Sequence, residues 1–234
     1  MMKTDDLQVF YEDNHLIVVL KKPDLLSQAD ETQDDDMINI VKQYLKEKYE
    51  KKGNVFVGLL HRLDRRVGGL MVFAKTSKAA SRMSALIRER QFYKEYLAIV
   101  QGGTPSSGRL VNYVNKINKN GPHAIISTIE GFGQEAILEY ETITKQTIDQ
   151  QEYSLVKVNL ITGRYNQIRI QFTNFKHPII NDFKYGYRGQ HDDNQLGLVC
   201  SGLRFAHPIT KEELQFNYMP KEGIWKYFGR INNE

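Results

Sequence analysis

At 234 residues the chain is long enough for one large domain or two small ones, and its 41% hydrophobic residues allow a sizeable core. No apolar run approaches the roughly 18 residues of a membrane helix, residues 1–6 lack a secretory-type apolar stretch, and a single cysteine excludes a disulfide framework or a cysteine zinc site, so a reducing cytoplasm fits. The net charge of +4 is unevenly spread: residues 1–50 hold six Lys/Arg against twelve Asp/Glu, whereas residues 61–94 hold nine Lys/Arg against Asp64 and Glu89, a basic stretch suited to a polyanionic partner.

Two apolar runs, Val9-Phe10 and residues 16–20, flank the turn-like Tyr11-Glu12-Asp13-Asn14-His15, which predicts an opening hairpin ended by Lys21-Lys22-Pro23. After Asp34-Asp35-Asp36, which can cap a helix and favour its positive end, Ile38, Val41, Tyr44, Leu45 and Tyr49 recur at helical spacing until Gly53. Strands are expected over 55–60 and 70–74. Thr76 or Ser77 then caps a helix with Ala79, Met83, Leu86 and Ile87 inward and Lys78, Arg82 and Arg88 elsewhere.

Beyond Gln91 strands dominate, over 94–100, 109–117, 124–129, 136–144 and 153–160, and the alternation of Val156, Val158 and Leu160 with Lys157 and Asn159 predicts one wet face. A helix is expected from near Thr162-Gly163-Arg164, with Ile168, Phe172 and Phe175 as its buried stripe, until His177-Pro178 stops it. Strands over 196–205 and 213–217 and a short helix around Trp225 complete the order. Cys200, in Leu198-Val199-Cys200, reads as a small buried hydrophobe. With no repeat or low-complexity linker, a single α+β domain is favoured.

Between the strands at 55–60 and 70–74 lies His61-Arg62-Leu63-Asp64-Arg65-Arg66-Val67-Gly68-Gly69-Leu70, which sets one carboxylate among three arginines. Packing does not require this, and a lone Asp beside arginines is usually a surface ion pair worth little. Three further segments accompany it. One is Tyr11-Glu12-Asp13-Asn14-His15-Leu16-Ile17-Val18-Val19 with Lys22-Pro23, and another is Lys94-Glu95-Tyr96-Leu97-Ala98. The last combines Thr162-Gly163-Arg164, Gln167-Ile168-Arg169, His177-Pro178-Ile179-Ile180-Asn181-Asp182, Tyr185-Gly186 and Leu203-Arg204-Phe205-Ala206-His207-Pro208. In this order and spacing, which span nearly the whole chain, the segments resemble the RluA-type family of pseudouridine synthases.

The resemblance implies a pseudouridine synthase catalytic fold, with a mixed, mostly antiparallel sheet flanked by helices and loops. It implies one catalytic domain over 1–234, without the N-terminal S4 RNA-binding module that relatives often carry, and a monomer that needs no cofactor and no metal. It assigns the essential carboxylate to Asp64, with Tyr96 and Arg169 completing the site, and rRNA or tRNA as partner. Pseudouridine formation breaks the N-glycosidic bond, turns the uracil and rejoins C5 to C1′. A carboxylate can act there as nucleophile, at sugar or base, or manage a sugar proton, and an adjacent guanidinium keeps it ionised.

Periodicity supports part of this. At about 100° per residue Arg169 falls at the edge of the apolar stripe and Arg164 about 140° away from it, which makes Arg169 the expected buried partner of Asp64. Strand alternation puts Lys94, Tyr96 and Ala98 on one face. With the resemblance, Tyr96 is expected to stack on the base, and Arg62 to occupy the space left by a flipped nucleotide or to hold its phosphate. His61, Arg65, Lys94 and Arg164 are the other expected RNA contacts. The chain departs from relatives at Val67-Gly68-Gly69, where they usually carry Thr-Ser-Gly, and at Tyr165-Asn166-Gln167, where they usually carry Thr-His-Gln. These losses keep open a catalytically silent RNA-binding or ribosome-assembly factor of the same fold. A phosphotransferase, prompted by the kinase-like His61-Arg62-Leu63-Asp64, lacks a glycine-rich phosphate loop and a metal-binding DFG.

Overall fold

The computed structural model describes residues 6–118, 121–127, 129, 132–189 and 193–229. Of the expected features, residues 1–5 and residue 128 of the strand at 124–129 lie outside that set. In chain order the elements are β1 (Val9–Glu12), β2 (Leu16–Lys21), α1 (Met37–Lys48), β3 (Gly58–Leu59), β4 (Gly68–Ala74), α2 (Ser77–Arg88), β5 (Phe92–Gln101), β6 (Ser107–Ile117), β7 (His123–Ser127), β8 (Gln134–Ile148), β9 (Gln151–Leu160), α3 (Gln167–Asn174), β10 (Leu198–Ala206) and β11 (Glu213–Asn217). A 3₁₀ turn spans Gly223–Tyr227. The order is α+β, as expected. The chain divides into two compact units, residues 1–94 with 200–218, and residues 95–199 with 219–234.

In the first unit β1 pairs β2, β2 pairs β4 and β10 pairs β11, each antiparallel, and β10 borders β4. The opening hairpin forms because Asp13 Oδ1 accepts from the His15 and Leu16 amides at 2.8 and 2.6 Å. β4 is buried along its whole length, which is why its sequence is a continuous apolar run rather than an alternation. The strand expected over 55–60 shrinks to β3, because β2 lines β4 along one edge and β10 borders it too, leaving only Phe73 and Ala74 as partners for Gly58 and Leu59. Both helix caps behave as the residue types require. Asp36 accepts from the Ile38 and Asn39 amides, and Thr76 accepts from that of Ala79.

The second unit is an antiparallel ladder in the order β5, β9, β8, β6, β7. Helix α3 starts later than its apolar spacing suggests. Thr162 and Arg164 stay in a loop and donate to Gln167 Oε1 at 2.8 and 2.9 Å, while Asn166 takes the left-handed conformation (φ 50) that asparagine tolerates. The stripe of Ile168 and Phe172 is buried, but Gln167, Arg169 and Gln171 are buried with it. The Gln171 amide donates to the carbonyls of Leu110 and Ala136 and to Asn112 Oδ1, so α3 is tied to β6 and β8 by hydrogen bonds as well as by apolar contact. Tyr140 packs against Phe172 and Phe175 in this core, and Trp225 of the same unit is fully buried. Among the described residues no helix is long and apolar enough to cross a membrane, and no cluster of three or more His, Cys, Asp or Glu is arranged to hold a metal ion.

Candidate active site

The segment from His61 to Val67 forms a turn before β4, and its backbone is tied down from three directions. Within the turn, Asp64 Oδ1 accepts from the Arg66 amide at 3.0 Å and the Asp64 carbonyl accepts from the Val67 amide at 3.0 Å. From one flank, the Ser27 hydroxyl donates to the Leu63 carbonyl at 2.7 Å and accepts the Leu63 amide at 3.0 Å. From beneath, the fully buried Lys21 sends its ammonium to the carbonyls of Lys22, Arg65 and Val67, at 3.2, 2.9 and 2.8 Å. Asp64 is held partly exposed at this turn.

Burial pushes the Lys21 ammonium down to about 7, with Asp64 and Asp24 opposing that fall and Arg65 adding to it. A cation without solvent is expensive unless its donors are satisfied, and three carbonyl oxygens meet that need here.

The flanking residues separate into anchors and exposed groups. His61 is buried, its Nε2 accepting the Val72 amide at 3.2 Å, and burial, reinforced by the charge of Lys94, pushes its pKa down to about 3. The structure thus buries His61 as a neutral anchor of the turn on β4 and does not expose it as the expected RNA contact would require. Arg62 and Arg65 are exposed, and Arg65 reaches Asp34 at 2.7 Å. Lys94 is partly buried on β5, and burial lowers its pKa, partly offset by Cys200. Cys200 itself is fully buried, as expected.

The departure at Val67-Gly68 also has a physical account. Val67 is buried, and both its backbone polar groups are engaged, the amide by Asp64 and the carbonyl by Lys21. The turn is closed by backbone groups and a buried ammonium, without the two hydroxyls. Gly69 is required for a different reason. Its φ is +127, and a Cβ there would stand 2.4 Å from the Cys200 carbonyl oxygen.

In the second unit Tyr96 is buried on β5 and Arg169 is buried on α3, the burial that the apolar stripe predicts for Arg169. Arg169 Nε and Nη2 donate to Asp182 Oδ2 and Oδ1 at 2.8 and 2.7 Å, and its guanidinium lies 4.8 Å from the centre of the Tyr185 ring. Tyr185 is fixed in turn, its hydroxyl accepting from the Ala124 amide at 2.8 Å and from Asn166 Nδ2 at 3.0 Å. The Asn166 departure therefore retains a donor to the support of Arg169. Arg164 lies outside this cluster and donates through Nε to the Glu135 carbonyl at 2.8 Å.

Sequence reasoning missed Lys21, Ser27 and Asp182 as supporting residues. For Lys21 the available signal was a lysine closing an apolar run, which reads equally well as a strand end. Asp182 stands within a motif segment, but no spacing links it to Arg169, thirteen positions earlier.

A sequence model of the family described as RNA pseudouridylate synthase matches residues 15–174, a span that includes the Asp64 turn, Tyr96 and Arg169. The tRNA pseudouridine synthase C of Vibrio parahaemolyticus serotype O3:K6 is 30% identical over 223 residues, covering 89% of this chain and 88% of that protein. The ribosomal large subunit pseudouridine synthase D of Vibrio cholerae serotype O1 is 29% identical over 230 residues, covering 90% of this chain and 66% of that protein. Among solved structures, human RNA Pseudouridylate Synthase Domain Containing 1 aligns with a TM-score of 0.75 at 19% identity, over 94% of this chain and 86% of that one, a likeness of fold. With its motif segments in order and the family match running through more than half of its length, the chain belongs to the RNA pseudouridylate synthase family.

Proposed function

We propose that the chain is an RNA pseudouridine synthase, a cytoplasmic isomerase that converts specific uridines of structured rRNA or tRNA to pseudouridine, with Asp64 as the reacting carboxylate. Tyr96 and Arg169 serve the same reaction, and the chain works as a monomeric catalytic domain. The observation that carries the reading is the family match across the Asp64 turn, together with the restraint of that turn by Ser27, Lys21 and its own amides. Positioning a partly exposed carboxylate this way lowers the entropic cost of bringing it to a nucleotide.

The reaction balances without an external reactant. The N1–C1′ bond breaks, the C5–C1′ bond forms, the C5 hydrogen leaves to solvent and N1 gains a proton. Asp64 acts as nucleophile or takes up a sugar proton. The uridine must first leave its stack, at a cost of a few kcal/mol, and the exposed Arg62 fits the role of filling that space or holding the displaced phosphate.

The test uses RNA carrying 5-tritiated uridine. Wild-type protein should release tritium, and Asp64→Ala should bind the same RNA with similar affinity yet release none. Full turnover by Asp64→Ala removes the carboxylate from the mechanism. RNA binding without release by the wild type favours the silent factor instead.

A further inference from the structure

We propose that the C-terminal end of α1 is a separate RNA-docking point, at which the Tyr49 ring stacks on an unpaired base and Lys48, Lys51 and Lys75 meet the neighbouring phosphates. This rests on the reading of the chain as one that acts on RNA. Residues 1–41 hold three lysines and ten Asp/Glu, whereas residues 42–52 hold five lysines against Glu47 and Glu50. Lys46 and Lys48, in the last turn of α1, also suit the negative end of a helix. Lys75, which follows β4, has no part in that, yet its ammonium comes to the same ring as those of Lys48 and Lys51.

The three ammoniums lie 5.6, 5.6 and 4.9 Å from the centre of the Tyr49 ring for Lys48, Lys51 and Lys75, and the residue is 48% exposed. Its hydroxyl donates to Glu12 Oε1 at 2.7 Å, the oxygen that also accepts from Lys75 at 2.7 Å. Glu12 Oε2 accepts from Lys48 at 2.7 Å and from the Tyr44 hydroxyl at 3.2 Å. One carboxylate thus holds the ring, while a single negative charge against three ammoniums leaves the cluster positive. The backbone is fixed as well. The Lys51 amide donates to the Lys46 carbonyl at 3.0 Å and the Glu50 amide to that of Glu47 at 3.2 Å, with Glu50 left-handed (φ 48), the hydrogen-bond pattern that closes a helix sharply. An exposed aromatic face framed by cations has the parts of a stacking platform for nucleic acid. Because the ring is held at its hydroxyl, little rotamer freedom is lost when a base meets it.

The platform stands at the far end of the strands from the Asp64 turn. In the antiparallel β2–β4 pair Lys21 lies opposite Gly69 at the turn end and Leu16 opposite Ala74 at the Glu12 and Lys75 end. At the rise of a strand the two ends are about 17 Å apart. Tyr49 therefore meets nucleotides other than the target uridine, and its contribution is to affinity and target choice and not to the chemical step.

The experiment compares wild type with Tyr49→Ser, Tyr49→Phe and Lys51→Gln on labelled tRNA and rRNA transcripts, by fluorescence anisotropy across salt, with release of tritium from the same transcripts carrying 5-tritiated uridine. Tyr49→Ser should weaken binding by about fivefold or more, and Tyr49→Phe, which keeps the ring, should stay within about twofold. Lys51→Gln should make the slope of log affinity against log salt shallower by about 0.7, one phosphate contact to single-stranded RNA. At saturating RNA every variant should release tritium within about twofold of the wild-type rate, so that KM changes and kcat does not. A folded Tyr49→Ser with wild-type affinity overturns the proposal, as does a wild-type salt slope in Lys51→Gln or a loss confined to kcat. If Tyr49→Ser does not fold, the Lys51→Gln slope decides. Wild-type protein that binds no transcript removes the RNA reading itself and this docking point with it, whereas wild type that binds and turns over RNA with no effect of the variants removes the docking point alone.

Discussion

Arg169 and Asp182 form a two-point ion pair closed to solvent, with Nε to Oδ2 at 2.8 Å and Nη2 to Oδ1 at 2.7 Å, and with side-chain exposures of 4% and 0%. Removing Asp182 takes two charge-assisted hydrogen bonds from a guanidinium closed to solvent. Asp182→Ala should therefore destabilise the folded chain by about 3–5 kcal/mol, whereas the double replacement Arg169→Met with Asp182→Leu should recover much of that loss. Urea unfolding of the two variants checks the pair. Equal midpoints for wild type and Asp182→Ala would show that the pair carries no stability. The double variant should remain inactive on RNA, because it restores packing and not the guanidinium.

Glu12 is an acidic counterpart on β1. Burial on its own raises its pKa, but donors from Lys48, Lys75 and Tyr49 more than offset this and bring it from 4.5 to about 2. A carboxyl with a depressed folded pKa stabilises the fold above its unfolded pKa, and that stability disappears as pH falls from about 4.5 to about 2. Glu12→Gln should cost at most about 3 kcal/mol at neutral pH and should flatten the acid limb of the stability curve over that window. Chemical denaturation at several pH values is the measurement. A variant whose acid limb matches wild type excludes this linkage.

The parts of the fold that could be read in advance are those set by local chemistry. Asp36 and Thr76 cap their helices because their side chains reach amides two or three residues ahead, and the residues that do so are adjacent in the sequence. Asp64 stands out as a candidate because its neighbours are arginines in a motif shared with a family. Lys21 and Asp182 could not, since their importance depends on a partner more than ten positions away, and a lysine or aspartate has no local pattern that marks it for burial. Helix α3 starts at Gln167, later than its sequence predicts, for a related reason. Thr162 suits a cap by type, but Gln167 draws its hydroxyl and the Arg164 amide into a loop.

Gly69 is where β4 passes the backbone of Cys200. An added methyl would lie 2.4 Å from its carbonyl oxygen and 2.5 Å from its amide nitrogen, at a φ of +127 that side-chain-bearing residues rarely adopt. Neither obstacle is a flexible side chain, so relief requires separating two strands. Gly69→Ala should cost about 3 kcal/mol or more and lower the soluble yield. Gly53→Ala, which meets nothing within 4 Å, serves as the control. A melting temperature for Gly69→Ala equal to that of the control would show that the strands adjust freely.

Two arginines beside Asp64 should contribute unequally to RNA affinity. Both are exposed, but Arg65 is already paired with Asp34 at 2.7 Å, with side-chain exposures of 45% and 47%. To meet a phosphate it must give up that partner, and the net gain is the difference between two ion pairs. In Arg62→Ala the slope of log affinity against log salt should become shallower by about 0.7–0.9, the value of one phosphate contact. For Arg65→Ala the change should be about half of that or less. Asp34→Asn frees Arg65 and should tighten binding and steepen the slope. Fluorescence anisotropy with a labelled transcript between about 50 and 300 mM salt resolves these slopes. Identical slopes for the two arginine variants, unaffected by Asp34→Asn, would show that Asp34 does not compete with RNA for Arg65.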